Sequence, residues 1–76
     1  MKKQVRSLKP GMIMLAQNKT NENDRAVAII LANDYASKYC IIHAFNYRNN
    51  ELYKEWTKEY SYKDMKEIMR SCHSIQ

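Results

Sequence analysis

AVAIILANDYASKYCIIHAF, residues 26–45, is the stretch that decides the fold. It consists of two apolar runs separated by NDYASK, residues 33–38. Both runs contain β-branched residues, and the Asn, Asp and Ser between them favour a turn, so the stretch predicts two strands joined by a hairpin. Successive side chains of a strand point to opposite faces, and both runs are apolar at odd and at even positions. The two strands are therefore expected to need cover on both faces of the sheet.

The flanking sequence adds two further strands, which gives predicted strands at residues 12–17, 26–32, 39–47 and 51–57. In the second strand, Ala32 is expected on the same face as Ile30. Asn49-Asn50 favours a tight hairpin before the fourth strand, because Asn tolerates positive φ. The fourth segment, ELYKEWT, fits a strand with Leu52 and Trp56 on one face, or a helix; we favour the strand. A single helix over 26–47 is disfavoured by the NDYASK break and the paired Ile residues.

The C-terminal part predicts an amphipathic helix over residues 61–72. Ser61 followed by Asp64 fits a capping box, in which side chains satisfy the free amides of the first turn. Apolar residues then recur at helical spacing: Tyr62, Met65, Ile68, Met69 and Cys72. This helix is expected to cover one face of strands two and three. If the strands close into a barrel, the side chains of the second face fill the barrel interior. If the strands stay an open sheet, the second face needs a partner.

The pattern as a whole predicts an α+β fold: an antiparallel meander of three to four strands with one C-terminal amphipathic helix. The strands could close into a small SH3-like barrel. A chain of 76 residues with 45% hydrophobic and 28% charged residues predicts one small folded domain. Its expected parts are a basic N-terminal segment at 1–11, the strands at 12–57 and the helix at 61–72.

The composition indicates the cell compartment and the classes of partner. The net charge of +5 favours contact with polyanions, acidic proteins or anionic lipid surfaces. The sequence shows neither a signal peptide nor an apolar run of about 20 residues, so no membrane contact is expected, and we expect a cytoplasmic protein with reduced thiols. Short phage proteins are often rich in Lys, Asn, Ile, Tyr and Glu, as this chain is. By that association the protein would be located in the host cytoplasm.

The chemistry-bearing residues do not form a recognisable catalytic or metal site. Cys40, His43, Cys72 and His73 match the ligand count of a structural zinc site. However, residues three apart on a strand point to opposite faces, and neighbours on a helix diverge by about 100°. The carboxylates alternate with lysines as on a solvated surface, and a single Gly excludes Gly-rich phosphate loops. We therefore expect no enzyme, no metal, no cofactor and no small-molecule substrate.

The aromatic residues point instead to binding. Six Tyr, one Phe and one Trp are more than so small a core can bury. Rim tyrosines are the simplest explanation, and aromatic and Arg residues are also enriched at protein interfaces. We expect a non-enzymatic binding protein that contacts a macromolecule, for example a phage-type inhibitor or modulator of a host protein, or that self-associates as a homodimer. The predicted contact residues are Tyr39, His43, Tyr47, Arg48, Tyr53 and Lys54.

The alternative is a basic nucleic-acid-binding module. In that case tyrosines would stack on bases, and Lys or Arg side chains would neutralise phosphates. The additional contacts would be the cations Lys2, Lys3, Arg6, Lys9 and Lys38.

Overall fold

A computed structural model of the chain describes residues 4–17, 20–21 and 23–76. The predicted contacts Lys2 and Lys3 lie outside the described residues. The elements are a 3₁₀ turn at Val5–Ser7, strands β1 (Ile13–Gln17), β2 (Arg25–Asp34), β3 (Tyr39–Arg48) and β4 (Glu51–Ser61), helix α1 (Tyr62–Ser71) and strand β5 (Ser74–Ile75). The strands form one antiparallel sheet in the order β4-β3-β2-β1-β5.

The predicted α+β meander with a C-terminal helix is confirmed. The four predicted strands and the helix are present, and the segment 51–57 is part of the long strand β4. The sheet is open, with β4 and β5 at its edges, so the SH3-like barrel is not confirmed. Strand β5 was not predicted: after α1 the chain returns and pairs Ser74 and Ile75 with β1.

The hairpin turns and the helix start follow from local chemistry. Asn49 and Asn50 both have positive φ, at 52° and 65°, as a tight turn that follows the twist of the strands requires. Lys38, with φ of 61°, closes the hairpin between β2 and β3. At the start of α1 the Ser61 hydroxyl accepts a hydrogen bond from the Asp64 amide at 3.2 Å. The predicted N-terminal cap of the helix is therefore confirmed.

The core lies between α1 and one face of the sheet. Its centre is Met65 of the helix, fully buried against Ile30 and Ile42. Val5 and Leu8 of the N-terminal segment are also buried, with 4% and 2% of their surface exposed. The segment predicted only as basic thus supplies two of the buried side chains of the core cluster.

A bulge in β2 corrects the predicted face of Ala32. Ile30 pairs with Ile42 but Ala32 pairs with Ile41, so Leu31 is an extra residue in the strand. The extra residue moves Ala32 to the face opposite Ile30 and brings Asn33 to the helix side. The predicted common face of Ala32 and Ile30 is therefore wrong.

The bulge gives Asn33 a role in holding the N-terminal segment. Its side-chain amide donates to the carbonyls of Val5 and Leu8, at 3.0 and 2.9 Å. Its carbonyl oxygen accepts a hydrogen bond from the Tyr62 hydroxyl. One side chain therefore connects the N-terminal segment, the sheet and α1.

A second bulge, at Tyr53 in β4, separates Leu52 from Trp56. Lys54 pairs with Asn46 and Leu52 pairs with Tyr47, which leaves Tyr53 without a partner in the ladder. Leu52 therefore lies on the face away from the helix, whereas Trp56 packs against the core. The prediction that Leu52 and Trp56 share a face is therefore wrong. As with Ala32 and Ile30, an extra residue between the two positions reverses the alternation.

We expect Asn33→Ala to lower the free energy of unfolding by about 1–3 kcal/mol, because two backbone carbonyls and the Tyr62 hydroxyl lose their partner. Urea denaturation followed by circular dichroism measures the change. Asn23→Ala is the matched control, since Asn23 is exposed and accepts a single side-chain bond from Asn50; its effect should stay below about 0.5 kcal/mol. Equal losses for the two variants would contradict the role of Asn33.

Candidate functional site

The side of the sheet opposite α1 is apolar and uncovered, and we call it the open face. The register places its side chains in rows across the strands, because residues directly opposite each other share a face. The apolar members of the open face are Ile13, Leu15, Val27, Ile29, Ile41, Phe45, Tyr39, Tyr47 and Leu52. They include Ile13, Tyr39 and Leu52, which are 39%, 42% and 50% exposed. The two apolar faces predicted for β2 and β3 are thus present, and the described residues cover only one of them.

The chain exposes more surface than its mass predicts. Its accessible area is 5607 Å², whereas a folded monomer of this mass exposes about 4,900 Å² by the general relation of surface to mass. Exposed apolar side chains of the open face, among them Ile13, Tyr39 and Leu52, contribute to this excess.

Strand β4 separates acidic from basic side chains. Glu55 and Glu59 lie on the open face, in the rows of Phe45 and Ile41. Lys54 and Lys58 lie on the helix side, where their ammonium groups sit 5.2 Å from the ring centres of Trp56 and Tyr60 respectively. The open face thus has an acidic border along β4, and the helix side is basic.

His43 occupies the middle of the open face with two polar partners that the sequence did not reveal. One ring nitrogen lies 2.8 Å from a Glu55 carboxylate oxygen, and the other lies 2.5 Å from the Thr57 hydroxyl. A carboxylate, an imidazole and a hydroxyl in contact are the components of a nucleophilic triad, which also needs donors for an oxyanion and a cleft that holds the substrate. The three groups lie on the open face of the sheet, and none of them lines the groove beside α1 or the one between the start of β2 and the hairpin after β3. The contacts fix the ring of His43 against Phe45, 4.6 Å away between ring centres.

The structure divides the predicted contact residues among three places. Tyr39, His43 and Tyr47 lie on the open face, as the alternation in strand three predicted. At the hairpin after β3, the guanidinium of Arg48 stacks on the Tyr53 ring at 4.4 Å, next to Tyr47. Lys54 lies on the opposite side of the sheet. Tyr39 is at the other end of β3 from Tyr47, about 26 Å away by strand rise, so the tyrosines do not form one platform.

The predicted cations are divided as well. Arg6 and Lys38 line a groove of about 910 Å³ beside α1, which also contains Lys66, Arg70 and His73. Lys9 is exposed in the segment before β1 and does not line this groove. The sequence did not show that Arg6 and Lys38 would meet the helix, because their positions are 32 residues apart on the chain.

The two thiols are not arranged for nucleophilic chemistry. Cys40 is fully buried on the helix side, and burial raises its pKa. Burial also raises the pKa of Cys72, whose Sγ lies 3.2 Å from the Ile68 carbonyl. Reactive cysteines need the opposite shift, toward the thiolate. Among the described residues, no group of three or more Cys, His, Asp or Glu side chains is placed to hold a metal ion.

No helix in the described part of the chain is long and apolar enough to cross a membrane. No protein-family model, curated protein or solved structure matches the chain. The function must therefore be argued from the two surfaces themselves, the open face and the basic groove.

We expect both thiols to react with a disulfide reagent at least about 10-fold more slowly in the folded protein than in urea, because burial raises their pKa values and limits access. Cys40 should be slower than Cys72, since Cys72 is partly exposed. The variants Cys40→Ser and Cys72→Ser assign the two rates. A thiol that reacts rapidly near neutral pH in the folded protein would contradict this interpretation and point to an activated thiolate.

Proposed function

We propose that the protein is a non-enzymatic binding protein that acts by contact between its open face and the surface of another protein chain. The observation that supports this proposal is the largely apolar open face, which no described residue covers. Isolated apolar side chains are common at protein surfaces, but an apolar patch of several hundred Å² is typical of an interaction site.

The occupant that we favour is a second copy of the chain. Two such faces packed against each other would cover the apolar rows of both sheets, as the inner faces of stacked sheets do. The core of the single chain is small, since α1 covers only one face, so covering the open face would add to a limited stability. A second copy of the chain is always present at the same concentration and in the same compartment as the first, so it is the partner most readily available to cover the open face.

The charges of the open face select one way of pairing two copies. A two-fold axis across the strands would place β4 on β4, so that Glu55 and Glu59 of one protomer would meet those of its partner. A two-fold axis along the strands places β4 over β1 and β5, whose open-face residues Ile13, Leu15 and Ser74 carry no charge. Because facing carboxylates repel, we propose the second arrangement, a four-layer dimer with the helices outside.

A different protein is the other occupant of this face, as would be the case for a phage-type inhibitor or modulator of a host protein. The nucleic-acid alternative is not favoured at the open face, because its border along β4 is acidic and would repel phosphates. A cytoplasmic location stays part of the proposal, since a reduced Cys40 suits that compartment.

Ile13→Glu tests the dimer and its orientation together. We expect the wild-type protein to sediment as a dimer and Ile13→Glu to raise its dissociation constant at least about 10-fold, because an apolar contact is lost and a carboxylate meets the acidic border of β4. Ile13→Lys should weaken the dimer less, since its charge is opposite to that of Glu55. Sedimentation equilibrium over a range of concentrations measures both constants.

The matched control is Tyr35→Glu, which changes an exposed aromatic residue outside the open face and should leave the dimer unchanged. Val27→Thr, nearly isosteric and suited to a strand, is a second variant in case Ile13→Glu disturbs the fold, and it should also weaken the dimer. A wild-type protein that is monomeric at about 100 µM would overturn the choice of a second copy. A dimer that Ile13→Glu and Val27→Thr leave intact would overturn the choice of the open face.

A further inference from the structure

The groove beside α1 collects positive charge from three parts of the chain. Its cationic residues come from the N-terminal segment, the hairpin between β2 and β3, and the helix: Arg6, Lys38, Lys66 and Arg70. No carboxylate is among the described residues that line it. Lys66 and Arg70 are one helical turn apart and therefore project from the same side of α1.

Two carboxylates lie near these cations. Glu67 pairs with Arg70 at 2.9 Å, but both side chains are more than two-thirds exposed, so the pair is weak. Asp34 stays ionised, since hydrogen bonding by Ser37 holds its pKa below the usual value, but its carboxylate accepts hydrogen bonds from the amides of Ala36 and Ser37 and forms no ion pair with a described cation. Within the described residues, Arg6, Lys38 and Lys66 have no carboxylate partner.

The groove also offers aromatic and apolar surface. Tyr35 lies at its border with 62% of its surface exposed. Tyr62, Met69 and Ile75 line it and pack against the core, so they present a firm apolar wall. Burial raises the pKa of Tyr62, which therefore carries no negative charge near neutral pH. Positive charge next to an exposed ring is the combination that single-stranded nucleic acids use, through phosphate contacts and base stacking.

We propose that this groove binds the backbone of single-stranded nucleic acid, with Tyr35 stacking on a base. A volume of about 910 Å³ is at the upper end of the roughly 300–1,000 Å³ of small-molecule sites, so it has room for more than one phosphate. The cations surround a concave groove, which a flexible strand can enter and a flat membrane surface cannot. The groove lies on the helix side of the sheet, so this proposal does not depend on the proposed dimer.

Fluorescence anisotropy with labelled oligo(dT) and oligo(U) tests the groove. We expect binding at about 50 mM salt and a log–log slope of affinity against salt of about −2 to −3, as three to four phosphate contacts would give. Stronger binding of oligo(U) than of oligo(dT) would identify RNA as the ligand, through its 2′-hydroxyls, and the reverse order would identify DNA.

Lys66→Gln/Arg70→Gln should weaken binding about 10-fold and reduce the salt slope by about 1.4, the value for two lost contacts. Lys58→Gln/Lys63→Gln removes the same charge from exposed positions outside the groove and should change affinity less than about twofold. Tyr35→Ala should weaken binding about 5-fold or more without changing the slope, since stacking releases no counterions. Circular dichroism checks that each variant is folded.

Three results would overturn the proposal. The first is no binding of either oligonucleotide at low salt. The second is an equal loss for the two double variants, which would mean that net charge and not the groove is responsible. The third is equally tight binding of a polyglutamate peptide, which would mean that the groove takes any polyanion and does not recognise a nucleic-acid strand.

Discussion

The antiparallel pairing of β2 with β3 is the constraint on which the rest of the structure depends. Both strands are apolar at odd and even positions, and their register places Ile30 opposite Ile42 on one face and Val27 opposite Phe45 on the other. Two apolar faces need two covers, and the described residues provide one α-helix. The covered face becomes the core around Met65, and the uncovered face leaves Ile13, Tyr39 and Leu52 exposed.

The same geometry separates charges. In a strand, residues two apart share a face, so the alternation of Lys and Glu along β4 sends Lys54 and Lys58 to the helix side and Glu55 and Glu59 to the open face. Each lysine lies over an aromatic ring two residues further along the strand, which holds its charge on that side. Along β4 the chain therefore presents carboxylates on the open face and ammonium groups on the helix side.

The proposed roles of the two surfaces are compatible because the surfaces lie back to back. A partner on the open face leaves the groove beside α1 free, and two chains paired in that way would present two grooves on the outside. Asn33 contributes to both the fold and the groove, since it holds the N-terminal segment that carries Arg6. Arg6 is thus positioned by the buried Val5 next to it in the sequence.

The sequence by itself determined the strands, the helix with its cap at Ser61, and the presence of two apolar faces, because these features depend on local periodicity and turn chemistry. The tertiary structure alone decided which residues share a face beyond the bulges at Leu31 and Tyr53. An extra residue in a strand reverses the alternation of faces, and the extra residue is recognised only from the pairing with the neighbouring strand. It also decided that β5 pairs with β1 and that Arg6 and Lys38 line one groove with α1. Those contacts join parts of the chain that are distant in sequence, and no local pattern specifies them.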